Sequence, residues 1–203
     1  MGAIDHLIGR VPLLARYILA ALLLCGLILA IVYQRAGILR DGKEVRLEVV
    51  PVDPRDLFRG DYVVLDYRIS SVEVPKDNMD SFRRGQKVFV TLRPNDSGKA
   101  RAVSISSGRP AASGTDIVIN GTVTATSGCP FNEVGVRDCK SDRRAVQVKY
   151  GLESYFVPQG EGRKIETTEK ARLEVVAAVA PSGQSAIKRL LIDGKPVYDE
   201  PPY

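Results

Sequence analysis

The chain has 203 residues, 44% hydrophobic and 26% charged, with a formal net charge of +5, which excludes a disordered tail and a collagen-like fibre. Its 29 Lys and Arg against 24 Asp and Glu are spread along the chain, without the dense basic stripe of a nucleic-acid binder, so no nucleic-acid partner is expected. The one histidine, His6, precedes the first apolar run, which leaves no His for a Ser-His pair or a metal site in the body of the chain.

The first element is an apolar run from Val11 to Tyr33, and its heart, Ile18 to Val32, carries no charge. From Leu13 to Tyr33 a helix extends about 31 Å, enough to cross a hydrocarbon core of about 30 Å. Arg16 lies near one end, where a long side chain snorkels. Tyr17 and Tyr33 bracket the heart as interface residues do. A cleaved signal peptide has a similar apolar run, but Ala30 is followed by Ile31-Val32-Tyr33, so no small-x-small site closes this one. Leu24 stands before Cys25, where a lipoprotein signal needs a small residue. The expectation is an uncleaved single-pass anchor within residues 1–35, followed by a soluble domain over 36–203. Arg35, Arg40, Lys43 and Arg46 outnumber Arg10 and Arg16, which favours a cytoplasmic domain. The short N-terminal flank and the cysteines favour the opposite side, and the domain is expected to be extracytoplasmic, on the bacterial cytoplasmic (inner) membrane.

Beyond Tyr33 the pattern changes from helical to strand-like. Glu44–Val50 alternates polar and apolar residues, and Tyr62–Ile69 is rich in β-branched and aromatic ones. In the second of these, Tyr62, Val64 and Asp66 fall on one face and Val63, Leu65 and Tyr67 on the other. Ser71–Arg84 is polar and contains Pro75, which reads as a loop or a short helix. Gln86–Leu92, Ala100–Ser106 and Asp116–Thr126 are further strands. Cys129 and Cys139 follow in a polar, Gly-containing loop. A disulfide there closes a small ring and points to an oxidising compartment; two reduced thiols are the other reading. Two Cys without a nearby His or second pair do not fill a zinc site. Arg144–Tyr150, Arg172–Ala180 and Ser185–Ile192 are strands, with turns at Pro181–Gln184 and Asp193–Lys195. Gly162–Ala171 suits one or two helical turns, and Tyr198–Tyr203 reads as a fraying polar tail. The fold class expected is mainly β: one transmembrane helix, then one antiparallel barrel-like or sandwich domain with one or two short helices.

The densest segment is Pro51–Tyr67, which holds Asp53, Pro54, Arg55, Asp56, Arg59, Gly60 and Asp61 ahead of Tyr62, Leu65 and Tyr67. Asp53-Pro54 begins a turn and Gly60 permits a tight one. Arg55 and Arg59 fork onto neighbouring carboxylates. Gly60 to Tyr67 reads G-D-Y-x-x-L-x-Y, and in this the chain resembles the GDYXXLXY family of bacterial membrane-anchored proteins. Its lead-in Pro51–Arg59 and the later segment Lys149–Pro158 also resemble that family, so the likeness runs from about Arg46 to Val197. The resemblance implies an accessory protein beside a polytopic membrane protein, and it carries no biochemical activity with it.

A weaker likeness is to membrane-anchored signal peptidases, which share an anchor, a β domain and a Pro-x-x-x-x-Gly-Asp segment. Their nucleophilic Ser lies three residues before that Pro. Here that position is Pro51, or Val52 if counted back from Gly60, and neither attacks a carbonyl. Ile187–Gly194 is similar to their Lys-Arg segment, but a Lys base without a hydroxyl partner performs no acyl transfer. Two functional readings remain. One is an interaction protein that uses residues 53–67, with Tyr155 and Phe156, as its contact surface. The other is an envelope enzyme acting through the Asp/Arg cluster of residues 53–61. Charges of both signs alternate in that cluster, which favours ion pairing in a turn and the first reading. No catalytic residue, cofactor or metal is expected.

Overall fold

The structure, a computed structural model, describes residues 12–50, 62–130, 139, 144–156 and 172–199. The expected helical stretch Gly162–Ala171 and the lead-in 51–61 lie outside them. Contacts divide the chain between Gly37 and Ile38.

Helix α1 spans Leu13–Asp41, 29 residues. Its apolar side chains are exposed all round, Leu14 at 72% and Leu23 at 67% among them. It continues past the apolar run that ends at Tyr33, because Ile38 and Leu39 bury themselves against Ala178 and Ala186. Gly42 stops it: its N–H donates to the Ile38 carbonyl at 3.0 Å. A Cβ at Gly42 would lie 2.4 Å from that carbonyl oxygen and 3.0 Å from the Val179 nitrogen, so only glycine allows this approach.

Among the described residues the β domain holds two five-stranded antiparallel sheets and a short two-stranded ribbon. The first sheet is built from β1 (Lys43–Val50), β3 (Asp66–Tyr67), β10 (Leu173–Val179), β11 (Ser185–Ile192) and β12 (Lys195–Asp199), in the order β12-β11-β10-β1-β3. The second takes β4 (Ser71–Val74), β5 (Lys87–Pro94), β6 (Ala100–Ser106), β7 (Ile117–Gly128) and β8 (Arg144–Lys149), in the order β4-β8-β7-β5-β6. Its edge strands β4 and β6 come alongside each other, which curls it into a nearly closed barrel. The ribbon pairs β2 (Tyr62–Val64) with β9 (Ser154–Phe156).

The alternation read from the sequence sets the core. Val45, Leu47 and Val49 of β1 are buried, as are Val88, Val90 and Leu92 of β5. They join Val175, Leu190, Ile119 and Val146 in one apolar cluster that links the two sheets.

Three local expectations are corrected. Ser71–Val74 is a strand rather than loop or helix, because Val72 and Val74 bury against the core and the segment pairs with Arg144–Gln147. A short 3-10 helix, Lys76–Ser81, begins only after Pro75. The stretch Tyr62–Ile69 is not one strand: it changes partner at Leu65, from β9 to β1, and enters a 3-10 turn at Arg68–Ser70. Tyr198 and Asp199 belong to β12, paired with Leu190 and Arg189, rather than to a frayed tail.

Cys129 and Cys139 are disulfide-bonded, with Cα atoms 4.8 Å apart. The near end of the ring is fixed by a relay: Gln147 Nε2 donates to Ser71 Oγ at 2.9 Å, and Ser71 Oγ donates to the Cys129 carbonyl at 3.0 Å. Closing a loop of this size stabilises by about 2–3 kcal/mol in the chain-entropy account. Replacing both cysteines by Ser is expected to lower the unfolding free energy by that amount. In native membranes both thiols should resist maleimide until reductant is added; full labelling without reductant would show them reduced.

Candidate functional site

The two dense segments of the sequence fold against each other. Tyr62, Val63 and Val64 pair with Phe156, Tyr155 and Ser154. The pairing extends one step further through the Leu65 N–H, which donates to the Glu153 carbonyl at 2.9 Å.

Two tyrosines then lock the segments reciprocally. The Tyr67 hydroxyl donates to the Leu152 carbonyl at 2.6 Å. The Tyr150 hydroxyl donates to the Ile69 carbonyl at 2.7 Å. Each ring is thus carried by one segment and satisfies a backbone acceptor of the other. Both bonds are buried, where an unmade hydrogen bond costs most. The loop between them is held by Glu153, whose carboxylate accepts the N–H of Tyr150 at 2.6 Å and of Gly151 at 3.0 Å. Gly151 has φ +78, the left-handed conformation that lets the chain reverse there.

Burial first, then the Glu153 and Asp66 carboxylates, push the Tyr67 hydroxyl well above the ordinary phenol range. Burial and then Glu153 do the same to Tyr150. Both remain neutral donors at physiological pH, suited to latching and unsuited to acting as bases.

A model of the family described as GDYXXLXY protein matches residues 24–190. The chain belongs to that family. Neither a curated protein nor a solved structure matches it. The family match begins inside α1 and ends inside β11, short of β12, so the second half of the helix is part of what the family shares.

Two of the positions that name the family, Leu65 and Tyr67, share the inward face. Leu65 is 2% exposed and Tyr67 fully buried, whereas Val64, the unnamed position just before Leu65, is 49% exposed. The expected alternation therefore holds from Val64 to Tyr67. The expectation that Leu65, Tyr67 and Tyr155 form a contact surface does not. All three are buried, Tyr155 at 2%, because their rings and side chains fill the space where β2, β3 and β9 cross the core. Tyr62 and Phe156 are placed opposite each other by strand pairing. Asp53, Pro54, Arg55, Asp56, Arg59, Gly60 and Asp61 lie outside the described residues. Tyr150 and Glu153 complete the latch and were not singled out from sequence; the Tyr-Gly-x-Glu spacing around Gly151 is the signal that marks them.

Proposed function

We propose that this member of the GDYXXLXY family is a membrane-anchored interaction protein of the bacterial cell envelope, without catalytic activity of its own, that works beside a polytopic membrane protein. The observation that carries the reading is α1. Its side chains are apolar and exposed on every side among the described residues, which supports a helix set in lipid or among other membrane helices. The disulfide supports a domain on the oxidising, extracytoplasmic side of the inner membrane. The buried tyrosine latch supports a role for the named motif in building the domain, which leaves outward residues such as Val64 for contact.

The test is photo-crosslinking in native membranes from Leu19 and Leu23 on the helix and from Val64 on the domain. The expected result is one polytopic protein attached at helix and domain positions alike. Adducts with lipid alone would remove the partner from this reading.

A further inference from the structure

The last turn of α1 is separated from β1 by one residue, Gly42. Past the bulge at Val176–Ala177, the outer half of the β10–β11 hairpin meets this turn on one face and the main core on the other. Ala178 and Ala186, paired across the two strands, bury against Ile38 and Leu39, with Ala180 beside them. Ala177, Val179 and Ile187 belong to the core cluster that also holds Ile119 and Val123 of β7. Successive residues of a strand alternate faces, so one pair of strands serves both contacts.

The tip of the hairpin is docked as well. Its turn is tight: the Ala180 N–H donates to the Gln184 carbonyl at 2.8 Å, and the Gly183 N–H to the Ala180 carbonyl at 2.9 Å. The Gly183 carbonyl then accepts the Asn120 N–H at 2.9 Å. Asn120 lies opposite Phe89 of β5, while the pairing of β7 with β8 begins only at Thr122, so the hairpin tip rather than a strand supplies this acceptor. Gly183 has φ +88, and a Cβ on it would stand 3.2 Å from the Asn120 nitrogen. The next residue, Gly121, lies against the latch: a Cβ there would be 3.1 Å from the Tyr150 ring and 2.9 Å from the Lys149 carbonyl oxygen. A packed path runs from Ile38 and Leu39 through the hairpin to Asn120, and on to Tyr150.

We propose that the β10–β11 hairpin is a lever that couples α1 to the tyrosine latch. A shift of the helix moves Ile38 and Leu39 together with the alanines beneath them, draws Gly183 off Asn120 and loosens the contact at Tyr150. Helix α1 runs without a break from Leu13 to Asp41. The joint at Gly42 is hemmed in by Val179 and Ala178 and offers no slack chain to absorb the shift. The tip is the part that gives, because it docks through one hydrogen bond, whereas β10 is paired with β1 from Val179 to Glu174. The lever rests on the reading of α1 as a membrane helix.

The test is amide hydrogen exchange of the full chain in nanodiscs of dimyristoleoyl- or dierucoyl-phosphatidylcholine, a thin and a thick bilayer, resolved to single amides by mass spectrometry. A helix tilts more in the thinner bilayer, and local opening is read as faster exchange. The Asn120 and Tyr150 amides should exchange at least fivefold faster in the thin disc. The Gly98 amide, bonded to the Asn95 carbonyl in the β5–β6 turn, should not change. Gly-Ser-Gly-Ser inserted between Gly37 and Ile38 puts slack ahead of the contacts of Ile38, Leu39 and Gly42 without touching them. This insertion should abolish the difference and keep the wild-type melting temperature. Gly183→Ala should speed Asn120 exchange in both discs. Equal or slower Asn120 exchange in the thin disc, or a difference that survives the insertion, would overturn the lever. A response at Asn120 without one at Tyr150 would overturn its reach to the latch. A chain that enters neither disc would overturn the anchor and the lever with it, whereas one that enters both without the response would remove the lever alone.

Discussion

Tyr67→Ala is expected to destabilise the β domain by about 3–5 kcal/mol, the range for deleting a buried aromatic ring and leaving a cavity. Tyr67 is fully buried in the core cluster that links both sheets, so little around it can collapse inward. Tyr67→Phe separates the ring from the hydroxyl. It keeps the packing and leaves the Leu152 carbonyl without its 2.6 Å donor, a loss of about 1–3 kcal/mol. The sign with pH is also fixed. The folded-state pKa of Tyr67 is raised above its unfolded value, so its contribution is complete below about pH 10 and is lost as pH rises through the folded value. Chemical denaturation of the wild type should show stability falling above about pH 10, and Tyr67→Phe should flatten that fall. A Tyr67→Phe protein as stable as wild type would show that the hydroxyl contributes no net stability. A double-mutant cycle with Tyr150→Phe measures whether the two reciprocal bonds act as one unit.

The latch shows why the strands were legible in the sequence and the site was not. Strands such as β1 and β5 carry their pattern locally: Val45, Leu47 and Val49, like Val88, Val90 and Leu92, recur at every second residue, and no distant partner is needed to read them. Ser71–Val74 is only four residues long and ends at a proline, so its pairing with β8 decides its state where local pattern does not. The same holds for β12, which is fixed by its neighbour β11. The G-D-Y-x-x-L-x-Y motif is visible as letters, but letters do not tell an exposed tyrosine from a buried one. Tyr67 acquires its role from a carbonyl 85 residues away, and sequence periodicity carries no information at that range.

Leu22→Arg combined with Leu23→Arg is expected to abolish stable membrane insertion. Both side chains are exposed, at 65% and 67%, near the middle of the uncharged run. Each exchange replaces a favourable transfer by one costing about 2.5–3.5 kcal/mol at a helix centre, and together they disfavour insertion by roughly 6–8 kcal/mol, about four to six powers of ten. Neither arginine escapes by snorkelling, because both interfaces are about three turns away. Alkaline carbonate extraction should therefore leave wild type in the membrane pellet and move the double variant to the supernatant. A double variant that stays in the pellet would mean that α1 is sheltered by other helices strongly enough to bury two charges, which would make the partner, rather than lipid, the principal cover of the helix. Intact mass of the extracted wild type discriminates the remaining alternative. A chain that retains α1 is anchored by it, whereas one cut after the apolar run has only used it as a leader. The family match, which starts at Leu24 inside the helix, favours retention, because a discarded leader has only to be apolar and shares little beyond that among relatives.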